Sequence, residues 1–154
     1  VDAALLAAAG LRRLGLGERI VAFMDPPNWI SAPGQGAIAV QARANDERMT
    51  AILATLDHAH TRAAVTAERA LLAALEGGCQ VPIGALMTVS DGGRRTLHGL
   101  VAGLDGVPML RASTVVGDDI IASAETLAGE LREKGAGAIL ADARATTAAS
   151  NEAR

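Results

Sequence analysis

A chain of 154 residues, half of them apolar and 20% charged, is long enough to bury one good core or two small ones and reads as a globular protein. Its net charge of −3 and lack of like-charge runs argue against nucleic acid or anionic lipid as a partner. No apolar run approaches the ~20 residues of a membrane span: Arg12, Arg13, Glu18 and Arg19 break up the N-terminal one, and a secretory signal would place its basic residues first.

In chain order, Asp2 to Leu14 predicts a helix with Leu5, Ala8 and Ala9 on one stripe, ended by Gly15 and Gly17. Ile20 to Met24 predicts a short strand, and DPPNWISAPGQG from Asp25 to Gly36 a connection between domains. Ala37 to Arg43 alternates as a strand does, and Asn45, with Asp46 and Glu47 in the first turn, starts a helix through about Leu56. Thr61 is expected to cap a second helix whose Val65, Leu72 and Leu75 repeat at helical spacing and whose end Gly77 marks. Strands follow at 83–89, 96–102 and 110–116, separated by Asp91-Gly92-Gly93 and Asp105-Gly106 turns, which suggests an antiparallel meander. A helix from about Ser123 to Lys134 would cover one face, and TTAASNEAR at the end holds too few large apolar residues to stay ordered. Asp46, Glu68 and Glu76 are accounted for as helix ends and solvated faces. The result is an α+β domain, a three-stranded antiparallel sheet with helices, preceded by other material.

Gly34 to Ala39, GQGAIA, matches a dinucleotide-binding pattern, but its glycines precede a strand and open no helix, so a tight turn is the better account. Asp57, His58 and His60 have metal-ligand chemistry, yet no further cluster lies near them, and no metal is assigned. Thirteen arginines against Lys134 alone would suit acidic ligands, since the guanidinium grips carboxylates in a fork, but for most of them solvating the surface is the better account. The single cysteine, Cys79, cannot form an internal disulfide, so cytoplasm is the default compartment. It lies in the loop LEGGCQVPIGA after a helix, where the dipole opposes a thiolate and speaks against a cysteine hydrolase. An ordinary thiol in a non-catalytic, small-ligand-binding α+β module and a thiol that meets an electrophile both remain open at this point.

SAPGQGAIAVQAR, then VTAERALLAALEGGCQVPIGA, preceded by AAAGLRRLGL, resemble the porphobilinogen deaminase (hydroxymethylbilane synthase) family over about Asp2 to Ala143. The resemblance implies a transferase that joins four porphobilinogens into a linear tetrapyrrole on a dipyrromethane cofactor held by a thioether to Cys79. A soft sulfur nucleophile suits the electrophile left when porphobilinogen loses ammonia. It further implies that Arg13 holds the acetate and propionate groups of the growing polypyrrole chain, that Gly10 and Gln35 line the cavity, and that the complete protein is a cytoplasmic monomer. By the same likeness 1–36 is the end of a second α/β domain, 37–55 a returning segment of the first, both periplasmic-binding-protein-like, and 56–154 the cofactor-carrying domain. The family's N-terminal half, with its catalytic aspartate, has no counterpart here, so no catalytic residue is assigned. The chain reads as a piece of a longer protein, with 1–36 poorly anchored and 37–42 an orphan strand.

Overall fold

The computed structural model describes residues 2–76 and 81–152, so Cys79 and Gly77 lie outside the described residues. Three strands, β1 (Ile83–Val89), β2 (Arg95–Ala102) and β3 (Met109–Val115), form one antiparallel sheet in the order β1-β2-β3. Their spans depart from the expected ones by a residue at most. Gly93 and Gly106 take the positive φ that their turns require, +76° and +86°. The register sets Ala85 opposite Gly99 and Met87 opposite Leu97, and the alternation of side chains turns Ala85, Met87, Leu97 and Val101 into the core.

Two helices cover that inner face, α3 (Ala59–Ala74) and α4 (Ile120–Glu133). Ala67 and Leu71 on one, with Leu75 just past its end, and Ala124, Leu127, Ala128 and Leu131 on the other fall on one helical face and are fully buried. Each buried leucine stabilises the fold by about 1.5–3 kcal/mol. The α3 stripe therefore centres on Leu71; the expected Val65 and Leu72 are only half-buried flankers. The helices approach the sheet closely because β2 offers Gly99 at the contact: a Cβ there would stand 2.9 Å from Leu131 Cδ1 and 3.0 Å from Leu71 Cδ2.

Helix starts differ from expectation where a side chain closer to the periodic run does the capping. Asp46 Oδ1, not Asn45, accepts from Met49 N–H at 2.9 Å and opens α2 (Glu47–Ala54). His58 Nδ1 faces Thr61 N–H at 3.3 Å and Thr61 Oγ1 at 2.7 Å, so α3 begins two residues before the predicted cap. Asp119 Oδ1 accepts from Ala122 N–H at 2.9 Å and starts α4 three residues before Ser123. The expected disorder of 146–154 is corrected through residue 152: α5 (Ala136–Glu152) buries Ala136, Leu140 and Ala143, and its alanine-rich continuation has high intrinsic helix propensity.

The N-terminal expectations hold least. Only Ala8–Arg13 is helical (α1), followed by a 3₁₀ turn at Gly17–Arg19, and Leu5 is exposed. Residues 20–24 and 37–43 form no strands. Val21 and Ile38 are 99% and 95% exposed, as alternating segments are when no neighbouring strand completes their ladder. No helix among the described residues is long and apolar enough to cross a membrane.

On the outer face of the sheet, His98 Nε2 lies 3.0 Å from Thr88 Oγ1, and desolvation by burial lowers its pKa below the ordinary 6.5. The unfolded chain then binds the proton more readily than the folded one, so the His98 contribution is fully present above about pH 6.5 and is lost as pH falls from there toward the folded value. Chemical denaturation between pH 7.5 and 5 should show stability falling with acid more steeply in the wild type than in His98→Gln; parallel curves would contradict the assignment.

Candidate functional site

The expected site residues lie on three pieces of chain: Gly10 and Arg13 on α1, Gln35 in the connection before residue 37, and Cys79 beyond the end of α3. The chain just before Cys79 is set by the end of α3. Ala74 is the last helical residue, Leu75 remains buried, and Glu76 takes φ of +54°, so the left-handed residue precedes the expected Gly77. On the far side, Ile83 N–H donates to Val81 O at 2.8 Å and Ala102 N–H to Pro82 O at 3.1 Å. Both ends of the 77–80 segment are thus tied to the core.

The Gln35 turn is held against the same helix by one carboxylate. Glu68 Oε2 accepts from Gly34 N–H at 2.7 Å, and Oε1 accepts from Met87 N–H at 3.0 Å, with the residue only 5% exposed. The assignment of Glu68 to a solvated face is therefore wrong. Met87 and Ala85 lie on the free edge of β1, and their outward N–H groups need acceptors: Glu68 supplies one and Ser31 O, at 3.0 Å from Ala85 N, the other. Gly34 itself has φ of +72°, and Val65 Cγ1 and Arg69 Nε come within 3.8 and 4.0 Å of where its Cβ would be. Arg111 Nη1 and Nη2 donate to Pro27 O and Asn28 O at 3.0 and 3.1 Å. The expectation that 1–36 is poorly anchored thus fails for 27–34, which is fastened to α3, β1 and β3. The sequence carried one signal of this: Glu68 stands three residues before Leu71 on the stripe that faces the core.

Gln35 is exposed, and its Oε1 accepts from Ala32 N–H at 3.2 Å, so half of its amide shapes the turn and the NH₂ is left to donate. On α1, the adjacent arginines separate by environment. Arg12 lies over the Phe23 ring, 5.3 Å from its centroid. Arg13 is exposed, with no hydrogen bond or ion pair to the described residues. No heavy atom lies within 4 Å of a Cβ built on Gly10, so α1 is open there. The structure brings the Gln35 turn onto α3, about two turns before its end, and packs α1 on the 3₁₀ turn beside it. His58 and His60 stand 5.8 Å apart with tilted rings, and no three His, Cys, Asp or Glu side chains converge among the described residues.

The fold is α+β, a three-stranded antiparallel meander backed by helices. Residues 62–135 match the family described as porphobilinogen deaminase, C-terminal domain, and residues 1–51 the one described as porphobilinogen deaminase, dipyromethane cofactor binding domain. The chain is 51% identical over 146 residues to the porphobilinogen deaminase of Desulforudis audaxviator (strain MP104C), covering 94% of this chain and 47% of the relative. It is 50% identical over 123 residues to that of Mycobacterium leprae (strain TN), covering 75% of this chain and 39% of the relative. The chain belongs to the porphobilinogen deaminase family and spans less than half the length of these relatives.

Because Glu68 satisfies two backbone donors away from water, Glu68→Ala should cost roughly 2–4 kcal/mol of stability, from the desolvation penalty of two orphaned groups. Glu68→Gln, which keeps one acceptor oxygen, should lose less. Hydrogen exchange at the Gly34 and Met87 amides should accelerate in the alanine variant before the strand centre does. Unchanged protection at both amides would show that the clasp is not formed in solution.

Proposed function

We propose that this chain is the primer-carrying part of a cytoplasmic hydroxymethylbilane synthase, which polymerises four porphobilinogens into hydroxymethylbilane with release of ammonia. The observation that carries it is the succession of two porphobilinogen deaminase matches along one chain, at about half identity to enzymes of that name. The gap between the matches, after residue 51 and before residue 62, supports a separate domain over 56–154 that carries Cys79; the division of the rest into 1–36 and 37–55, parts of two α/β domains resembling periplasmic binding proteins, rests on the sequence resemblance.

The residues suit a dipyrromethane. Such a group needs one soft nucleophile for a thioether and cationic forks for its acetates and propionates; Cys79 is the only thiol, and Arg13 is a guanidinium uncommitted among the described residues. When bound, it supplies the pyrrole end to which substrate adds. Arg13 grips carboxylates, Gly10 leaves the approach to α1 open, and the Gln35 amide donates from the turn that Glu68 holds. Arg12, occupied by Phe23, has no such part. No residue of this chain is given the acid–base role, which in the family belongs to an aspartate of the other half; the 154 residues alone should therefore not turn over porphobilinogen.

Three measurements test these assignments. Intact mass of the complete protein made in cells should show a two-pyrrole adduct on the Cys79 peptide, absent in Cys79→Ser; full activity without an adduct would refute the attachment. Arg13→Leu should slow elongation about tenfold or more, the worth of one charge-assisted contact, while Arg12→Leu changes it far less. Equal loss in both would remove Arg13 from the site. Tetrapyrrole formation by the 154-residue chain alone would place the acid–base group within it.

A further inference from the structure

The Gln35 turn rests on the face of α3 that carries Val65 and Arg69. A Cβ built on Gly34 would stand 3.8 Å from Val65 Cγ1 and 4.0 Å from Arg69 Nε, and Glu68 Oε2 accepts from Gly34 N–H at 2.7 Å. The turn is closed twice, by Gln35 N–H donating to Ala32 O at 3.1 Å and by Ala32 N–H donating to Gln35 Oε1 at 3.2 Å. The second bond fixes the carboxamide by its oxygen and leaves its NH₂ to donate. Arg69 is exposed and makes no hydrogen bond or ion pair to the described residues. Other arginines of the packed domain are engaged: Arg95, Arg111, Arg132 and Arg144 donate to backbone carbonyls, and Arg62 pairs with Asp57. Glu68, the acid beside Arg69 in the chain, has both oxygens committed to backbone donors. One corner of the molecule thus holds a guanidinium and a carboxamide NH₂, both without an acceptor among the described residues.

We propose that Arg69 and the Gln35 carboxamide form a carboxylate-binding site for an acetate or propionate of the pyrrole chain, separate from the one assigned to Arg13. The site rests on the reading that this chain handles pyrroles with acidic side chains. A carboxylate offers two acceptor oxygens; the guanidinium supplies a fork of N–H donors, and the carboxamide adds one from a turn that Glu68 ties to the same helix. Each ring brings two carboxylates, so a growing chain outnumbers what Arg13 alone can hold. Because Arg69 is exposed, its contact is weak and sensitive to salt.

The Cys79→Ser form of the 154-residue chain cannot form the thioether, so binding is read there without attachment. Porphobilinogen titrated at low ionic strength should shift the NMR signals of Arg69 Nε–H and the Gln35 side-chain NH₂ saturably, and its dimethyl ester, which lacks carboxylates, should not. Arg69→Gln should weaken the Gln35 response about fivefold, Arg69→Lys less, and the control Arg94→Gln, on the turn between β1 and β2, not at all. In the complete enzyme, Arg69→Gln should raise KM for porphobilinogen about fivefold with kcat and thermal melting near those of the wild type. No shift with porphobilinogen, an equal shift with the ester, or an equal loss in Arg94→Gln would overturn the site. So would a lowered melting temperature of the complete enzyme with KM unchanged, since a carboxylate of the remaining polypeptide would then occupy Arg69. The comparison of acid with ester needs no variant at position 69, so it decides even where Arg69→Gln fails to fold. An adduct missing from Cys79 refutes the attachment and leaves this site standing, whereas a missing shift removes this site alone.

Discussion

The carboxylate of Glu68 joins three parts of the molecule that would otherwise end in unsatisfied backbone. An edge strand presents a row of outward N–H groups, and β1 is the edge of this sheet. Glu68 reaches from α3 to Met87 on that edge with one oxygen and to Gly34 with the other, so strand, helix and N-terminal connection share one buried group. Removing water from a carboxylate is costly unless its oxygens are occupied, and both are. The same contact explains why the 27–34 connection follows one course: with Ala85 bonded to Ser31 and Arg111 to Pro27 and Asn28, the chain crosses from the edge of β1 toward β3.

The direction of α3 follows from this clasp and from Gly99. Leu71 and Leu131 meet over the glycine, which lets both helices settle on the sheet without a side chain between them. Once α3 is fixed at Glu68 and Leu71, its last turn arrives beside α4 and α5, where Arg132 and Arg144 take up its carbonyls. The end of α3 is thus held from three sides, by the buried Leu75 and by the two arginines.

The central sheet was legible in the sequence because each strand is bounded by its own local signals. Alternation over 83–89 and the Asp-Gly turns specify a period and two reversals within a few residues, and the ladder that results is between sequence neighbours. The same alternation at 37–43 produced no strand, since its partner is not adjacent in the sequence, and Ile38 and Val40 remain in water. Helix starts were misplaced by two or three residues where His58 and Asp119 displaced the expected caps, a competition between neighbouring polar side chains that composition does not rank.

By itself the sequence determined the α+β class, the meander, the family through the GGCQVPIG and GLRRLGL segments, and the one residue able to form a thioether. Those depend on local period, turn residues and the identity of side chains. Only the tertiary structure decided that Glu68 is a buried clasp and not a solvated charge, that Arg12 is spent on Phe23 while Arg13 is open, and that the negative end of α3 is covered by cations. Each of these depends on a group brought from at least ten residues away, and the sign and strength of a polar contact are set by the burial and the partners it meets there, which periodicity cannot encode.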